Sequence, residues 1–380
     1  MQASVRRIGM ITGEYPPMQG GVGAFTRILA GALAAQDHEL FVLSRTGTHS
    51  DDPRVELSAR IGNWGAGSLL AARRWARERR LDVVNVQYQT AAYNMSPFVH
   101  FLPDALRPIP VVTTFHDLRY LYLFPKAGSL RDWIVMRLAR ASGGVIATNH
   151  EDAARLAGLY STLIPIGSNI APRTVIKEIW RAQAGAIDDD YLIAYFGLVN
   201  RSKGLETLLE AVAQLRDLPV RLALVGAVAG SSDPTNAAYM SEIDALIERL
   251  ELAPFIHHTG YLEDAAVSGY LAAADVVALP FRDGASYRRG TLIAALQHGC
   301  AIVTTQPTVS IRTFIDGENL RLIPPDDPTA LADALRHLHE SPDERARLQA
   351  GAAALAYQFD WSEIARATAE FLARVTGASA

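Results

Sequence analysis

Cysteine is almost absent. Cys300 is the one cysteine in 380 residues, which excludes an internal disulfide framework and a thiolate-built zinc site, and fits a reducing cytosol. Long apolar runs are missing too. No window approaches the roughly 18 uninterrupted residues of a membrane-spanning helix, and MQASVRRIGMITGEYPP has too brief an apolar stretch for a secretory leader. Nor is there an excess of positive charge: the formal net charge is −4, so no global basic field points to nucleic acid. Low-complexity tracts and short-period repeats are not found. What is present is a composition that is 49% hydrophobic and 20% charged, typical of a folded globular chain, and enough length for about two domains at roughly 150 residues each.

Apolar strand-like runs alternate with helical patterns throughout. In the first half the strand candidates are RIGMIT (7–12), LFVLS (40–44), VVNVQ (83–87), VVTTF (111–115) and GVIAT (144–148), with helical stretches at 22–35 and 67–80. The second half repeats the scheme with YLIAYFG (191–197), RLALVG (221–226), FIHHTG (255–260), VVALP (276–280) and AIVTT (301–305), and helices at 203–216 and 236–250. Near-continuous apolar strands joined by helices predict parallel sheets covered on both faces. Two such series predict two Rossmann-like domains, with a hinge in 171–190. FDWSEIARATAEFLARV (359–375) reads as a separate amphipathic helix, capped by Ser362 or Asp360 and anchored by Trp361 and Phe371.

Four stretches follow strands at the sheet edge where ligands of parallel sheets bind. GEYPPMQGGVGAF (13–25) supplies Gly20, Gly21 and Gly23, which let backbone approach a ligand, followed by a helix whose free N–H groups suit an anion. The alternative is a glycine-rich turn with no ligand. TTFHDL (113–118) puts His116 at a strand end, where an imidazole can donate a hydrogen bond or relay a proton, or simply cap a loop. FGLVNRSKGLETLLEA (196–211) carries Arg201 and Lys203 at a strand–helix junction, an arrangement suited to a diphosphate or to plain solvation. In GASYRRGTLIAALQHG (284–299), Arg288 and Arg289 stand just before a helix starting near Gly290. A helix N-terminus is already partly positive, so adjacent arginines there call for an anion, with Asp283, Ser286 and Thr291 beside them. One arginine could instead pair with Asp283. RRWARERR (73–80) fits a solvated helix face, with contact to an anionic membrane surface as a secondary possibility. His257 and His258 lack metal-ligand spacing, and Asp188, Asp189 and Asp190 read as a solvated run.

Taken in order, GEYPPMQGGVG, TFHDL, LIPIGSNI (163–170), FGLVNRSKGLETLLEA, HHTGYL (257–262), YLAAADVVALPF (270–281) and GTLIAALQHGCAIVTT (290–305) resemble the retaining family-4 glycosyltransferases, also called group 1 glycosyl transferases, over nearly the whole chain. The resemblance implies an α/β GT-B fold: two Rossmann-like domains with parallel sheets facing across a cleft. The expected divisions are 1–175 for the acceptor domain, 176–358 for the nucleotide-sugar donor domain, and 359–380 for a C-terminal helix crossing back to the first domain.

By position, the resemblance implies that Gly20, Gly21 and Gly23 lie over the donor diphosphate. It places His116 near the transferred sugar, Lys203 on the leaving diphosphate, and Gly260, Tyr261 and Leu262 by the nucleotide base. No metal or other cofactor is expected, since cationic side chains and helix N-termini stabilise the leaving group. This chain departs from the family in two places. Leu198 stands where an arginine is usual, with Arg201 three residues on. Ser286 and Ala294 stand where the family has two glutamates, so Arg288 and Arg289 read as extra diphosphate grip and Asp283 as a substitute contact to the sugar.

These readings converge on a cytoplasmic hexosyltransferase-type enzyme (EC 2.4). It would move a sugar from a nucleotide diphosphate sugar to a hydroxyl acceptor (a saccharide, a lipid-linked saccharide or a small molecule), with retention, in polysaccharide, glycolipid or glycoconjugate biosynthesis. The alternatives are a nucleotide-sugar binding protein or degenerate partner subunit without turnover, and a GT-B nucleotide-sugar epimerase.

Overall fold

The apolar runs do become strands, buried on both faces except for the run at 255–260, where no strand residue is fully buried. The computed structural model describes residues 6–18, 20–118, 128–187, 189–226 and 235–377. They divide into two compact units, Met1–Gly167 with Asp360–Ala380, and Ser168–Phe359. In chain order the first unit contains β1 (Arg7–Thr12), α1 (Gly21–Ala34), β2 (Glu39–Arg45), β3 (Val55–Ile61), α2 (Ala66–Glu78), β4 (Val83–Tyr88), α3 (Leu102–Leu106), β5 (Val111–Phe115), α4 (Gly128–Ala141), β6 (Gly144–Ala147), α5 (His150–Arg155) and β7 (Ser161–Leu163). The second contains α6 (Lys177–Gln183), β8 (Tyr191–Phe196), α7 (Leu205–Val212), β9 (Val220–Val225), α8 (Thr235–Arg249), β10 (Ile256–Gly260), α9 (Asp264–Ala273), β11 (Val276–Leu279), α10 (Gly290–Gln297), β12 (Ile302–Thr305), β13 (Arg321–Ile323), α11 (Pro328–Glu340) and α12 (Pro342–Ala356), and α13 (Trp361–Thr376) then returns to the first.

Among the described residues the first unit holds a seven-stranded sheet in the order β3-β2-β1-β4-β5-β6-β7, and the second a six-stranded sheet in the order β10-β9-β8-β11-β12-β13. The strand pairs within both are parallel. Strand order reverses direction between β1 and β4 in one sheet and between β8 and β11 in the other. Loops part at such switch points and leave a crevice at the C-terminal strand ends. The strands missing from the sequence reading, β3, β7 and β13, lie at or near sheet edges. β3 buries only Val55, Ser58 and Ile61, and the other two are three residues long, so none shows an apolar run.

Three other expectations change. The predicted hinge 171–190 contains α6, which packs on α9 of the same unit: Trp180 lies edge-on to Tyr270 with centroids 5.2 Å apart, and Arg181 pairs with Asp275 at 2.9 Å. Within the acidic run, Asp188 lies outside the described residues. Asp190 is 12% exposed and faces Arg221, so it is not solvated. The predicted helix 203–216 is shorter, because Gly204 adopts φ 65° and separates a 3-10 turn at Arg201–Lys203 from α7.

The amphipathic tail does form α13. Its apolar side joins the core made by β1, β2 and α1, Trp361 packs against Phe25 with centroids 5.2 Å apart, and Gln36 Nε2 donates to the Ser362 carbonyl at 2.8 Å. Asp360 occupies the N-cap position, but its side chain makes no capping hydrogen bond, and Ser362 lies inside the helix rather than at its cap. Phe371 is 1% exposed and lies so close to β6 that a Cβ on Gly144 would run into it. Phe371→Ala is therefore expected to destabilise the first unit by about 3–5 kcal/mol, measured by chemical denaturation. A loss within about 0.5 kcal/mol, the range of surface substitutions, would show that α13 is not part of that core.

Candidate functional site

In the second unit the loops after β8 and β11 meet at the switch point. Gly204 is pressed against Pro280, since a Cβ there would collide with the Pro280 carbonyl, and the Arg282 N–H donates to the Ser202 carbonyl at 3.0 Å. This contact sets Lys203 beside Arg289. Lys203 Nζ lies beneath Gly197, whose φ of 126° and lack of a side chain leave room for the amine. Burial, with the Arg289 charge adding to it, pushes the Lys203 amine down to about 8. Arg289 is 15% exposed and ion-paired with Asp283. It also donates to Ser202 Oγ at 3.2 Å and stacks 4.6 Å over the Phe281 ring. Thr291 Oγ1 is buried and has no hydrogen-bond partner among the described residues. Arg289 is itself the N-cap residue of α10, and its side chain makes no capping hydrogen bond to that helix.

Of the predicted residues, Lys203, Arg289, Gly290, Thr291 and Asp283 are thus brought together, and half-buried Arg288 adjoins them. Arg201 is not brought in. It is 60% exposed, bonded to Glu242 at 2.5 and 2.7 Å and stacked 4.9 Å over Tyr239. Arg289, arriving from α10, stands beside Lys203 instead. Asp283, read as a contact to the sugar, is bound to Arg289. Ser286 is 5% exposed and its Oγ accepts from the Arg288 N–H at 3.2 Å. Ala294 is 1% exposed, so a glutamate there would be buried. At the end of β10, Gly260 adopts φ 66°, Tyr261 is 80% exposed and Leu262 is half-buried. Among the described residues no cluster of three or more His, Cys, Asp or Glu could hold a metal ion.

The first unit corrects one expectation. The N-terminus of α1 is taken by the chain's own Glu14, whose Oε1 accepts from the Val22 and Gly23 N–H groups at 3.0 and 3.1 Å. A Cβ on Gly20 would strike that carboxylate and displace it, while Gly21 has open space around its Cα and Gly23 packs on the backbone at Glu14. Gln19, within the loop, lies outside the described residues. Sequence reading missed Glu14; the available signal was an acid between a strand end and a glycine-rich helix start.

His116 follows β5. Its ring packs edge-on to Phe25 of α1, with centroids 4.6 Å apart, and its Nε2 lies 2.9 Å from Gln87 Oε1. Burial pushes the imidazole down to about 3, so it is neutral across the physiological range. Gln87 is bonded in turn to Asn85. These two amides were also missed, although an Asn and a Gln two residues apart inside the apolar strand VVNVQY are themselves a signal.

Two family models match. Glycosyltransferase Family 4 covers residues 19–166, and Glycosyl transferases group 1 covers residues 190–341. The chain belongs to the group 1 glycosyltransferases. Among relatives of this glycosyltransferase, D-inositol 3-phosphate glycosyltransferase of Arthrobacter sp. is 24% identical over 96% of this chain and 94% of its own. Phosphatidyl-myo-inositol mannosyltransferase of Mycolicibacterium smegmatis is 25% identical over 98% of this chain and 95% of its own. Among solved structures, Anabaena HepE in complex with UDP has a TM-score of 0.76 at 18% identity, covering 97% of this chain and 100% of that one. Sucrose-phosphate synthase from Thermosynechococcus elongatus has a TM-score of 0.73 at 21% identity, covering 98% and 100%. With the two parallel sheets, these likenesses make the fold GT-B.

The Lys203 amine generates a pH prediction. It is cationic below about 8 and neutral above, and a bound diphosphate favours the cation. Calorimetry with UDP as the diphosphate probe should show affinity falling as pH rises through 8, with proton uptake on binding near pH 8.5. The native amine loses its proton more easily than an unfolded lysine at 10.5, so the ligand-free protein gains stability as pH rises from 8 toward 10.5. Lys203→Met should accordingly raise ligand-free stability by about 1–2 kcal/mol while weakening UDP binding. A flat pH profile with no proton uptake would remove Lys203 from the diphosphate.

Proposed function

We propose that this glycosyltransferase uses a nucleoside diphosphate hexose as donor and transfers the sugar to a hydroxyl acceptor with retention of configuration. The observation that carries the reading is the switch point of the second sheet. There Lys203 and Arg289 converge on the uncapped start of α10, with buried Thr291 Oγ1 beside them. Two cations forced together in a partly desolvated place repel each other. A diphosphate relieves that repulsion and supplies acceptors for both, for the Thr291 hydroxyl and for the first N–H groups of α10. Arg288 and Gly290 border the same place.

In the proposed reaction the bond between the anomeric carbon and the diphosphate oxygen breaks as Lys203 and Arg289 stabilise the departing charge, so no metal is required of the site. The acceptor oxygen attacks the face being vacated and its proton passes to the leaving phosphate oxygen. Asp283, held by Arg289, is poorly placed to act as a nucleophile, which favours direct departure over a covalent glycosyl intermediate. His116 faces the transferred sugar by its match to the family's motif, and Gly260, Tyr261 and Leu262 face the base on the same ground. The inositol-named relatives point to a polyol hydroxyl as acceptor and to glycoconjugate biosynthesis as the setting. Among the described residues no helix is long and apolar enough to cross a membrane, and cytoplasmic activity on the product of a soluble donor pool fits the single buried thiol Cys300.

Mass spectrometry of acceptor products, with proton NMR of donor and product to read epimerisation and anomeric configuration, tests the reading on a mixed panel of UDP-, GDP- and ADP-hexoses offered with inositol phosphates and simple saccharides. A glycosylated acceptor supports it; an epimerised donor or no turnover overturns it. Arg289→Ala should lower kcat/KM for the donor roughly tenfold to a hundredfold, the worth of a charged hydrogen bond of about 1.5–3 kcal/mol. Arg201→Ala, which removes a surface pair with Glu242, should change it by less than about fivefold. The reverse ranking would return the diphosphate contact to Arg201.

A further inference from the structure

Beneath His116 lie three buried polar side chains: Gln87 is 0%, Asn85 1% and Thr114 2% exposed. Asn85 and Gln87 project from the same face of β4, since side chains two apart share a face. β5 pairs with it so that Asn85 is opposite Val112 and Gln87 opposite Thr114. Buried amides are costly unless every bond is made, and the bonds made here have a direction. The Val112 carbonyl can only accept. Asn85 Nδ2 donates to it at 3.2 Å and to Thr114 Oγ1 at 2.9 Å, which turns Asn85 Oδ1 toward Gln87. That oxygen also only accepts, so Gln87 presents Nε2 to it and its own Oε1 to His116 Nε2 at 2.9 Å. An amide oxygen has no proton to give, so the proton on this bond is the imidazole's. One main-chain carbonyl thus fixes the tautomer of a histidine two side chains away. His116 Nδ1 keeps its lone pair and has no hydrogen-bond partner among the described residues.

We propose that Asn85 and Gln87 are positioning residues that lock His116 as the Nε2–H tautomer, so that Nδ1 accepts a hydrogen bond from a hydroxyl of the transferred sugar. The assignment rests on the reading of His116 as facing that sugar. It narrows the donor class: at that position the site takes a sugar bearing a hydroxyl and disfavours a uronate, whose carboxylate would set acceptor against acceptor.

The test begins with the ligand-free wild-type protein labelled with 15N-histidine. Long-range proton–nitrogen correlation, assigned by loss of the signal in His116→Ala, should show Nε2 protonated and Nδ1 unprotonated, unchanged between about pH 5 and 8. An Nδ1–H ring, or one that titrates in that range, overturns the proposal. Gln87→Met and Asn85→Val, checked by thermal unfolding, should mix the tautomers and lower kcat by about tenfold or more, with UDP affinity unchanged. Transfer would be assayed from an equimolar mixture of UDP-glucose, UDP-galactose and GDP-mannose. A pure Nε2–H signal in both variants, or wild-type kcat in folded Gln87→Met, overturns the positioning role. Full activity of His116→Ala would instead sink the sugar-facing reading, while the wild-type spectrum still decides the tautomer.

Discussion

Parallel sheets covered on both faces leave polar chemistry one place to go. The central strands β1, β4, β5, β8 and β11 are dry inside, so a charged or hydrogen-bonding side chain there must sit past a C-terminal strand end or bring its partners with it. Both solutions occur in this glycosyltransferase. Lys203 and Arg289 stand past the ends of β8 and β11, at the point where strand order reverses and the loops part. Asn85 and Gln87 stand inside β4 and survive there because each amide has a partner of the right polarity on hand.

The two units treat their helix N-termini in opposite ways. At α1 the positive end is answered from within by Glu14, a local solution that needs no ligand. At α10 the N-cap residue makes no such bond, and cations are gathered there instead. Helix dipole, lysine and arginine all carry the same sign. The arrangement is tolerable because Asp283, Ser202 and the Phe281 ring hold Arg289 from behind. Stability given up at one helix end and kept at the other is the pattern expected when only the first of these ends has binding to do.

The fold was legible wherever burial is two-sided. β1, β4, β5, β8 and β11 announce themselves as apolar runs, whereas β3, with only Val55, Ser58 and Ile61 buried, and the three-residue β7 and β13 leave no such mark. Lys203 and His116 were singled out by their place after strands and by motif resemblance, and the cation that the structure sets beside Lys203 is Arg289 rather than Arg201. Sequence distance favoured Arg201, two residues away. The left-handed turn at Gly204 and the packing of that turn on Pro280 bring Arg289 in from eighty-odd positions further along. The roles of Glu14 and Gln87 depend on which atom of a side chain faces which neighbour, and composition and periodicity do not carry that information.

The return of α13 to the first unit has a consequence for biosynthesis. Phe25, which holds one side of His116, is itself backed by Trp361, and the core behind it takes Ile364, Phe371 and Leu372 from α13. All of residues 168–359 are made between the two halves of that core. At roughly 5–20 residues per second, the first unit leaves the ribosome with one apolar face uncovered and waits on the order of ten to forty seconds for its missing helix. During that interval the exposed surface of α1 and β6 is a natural client for chaperones, and a nascent chain released before α13 emerges would carry every loop of the first unit yet lack the support that seats its histidine.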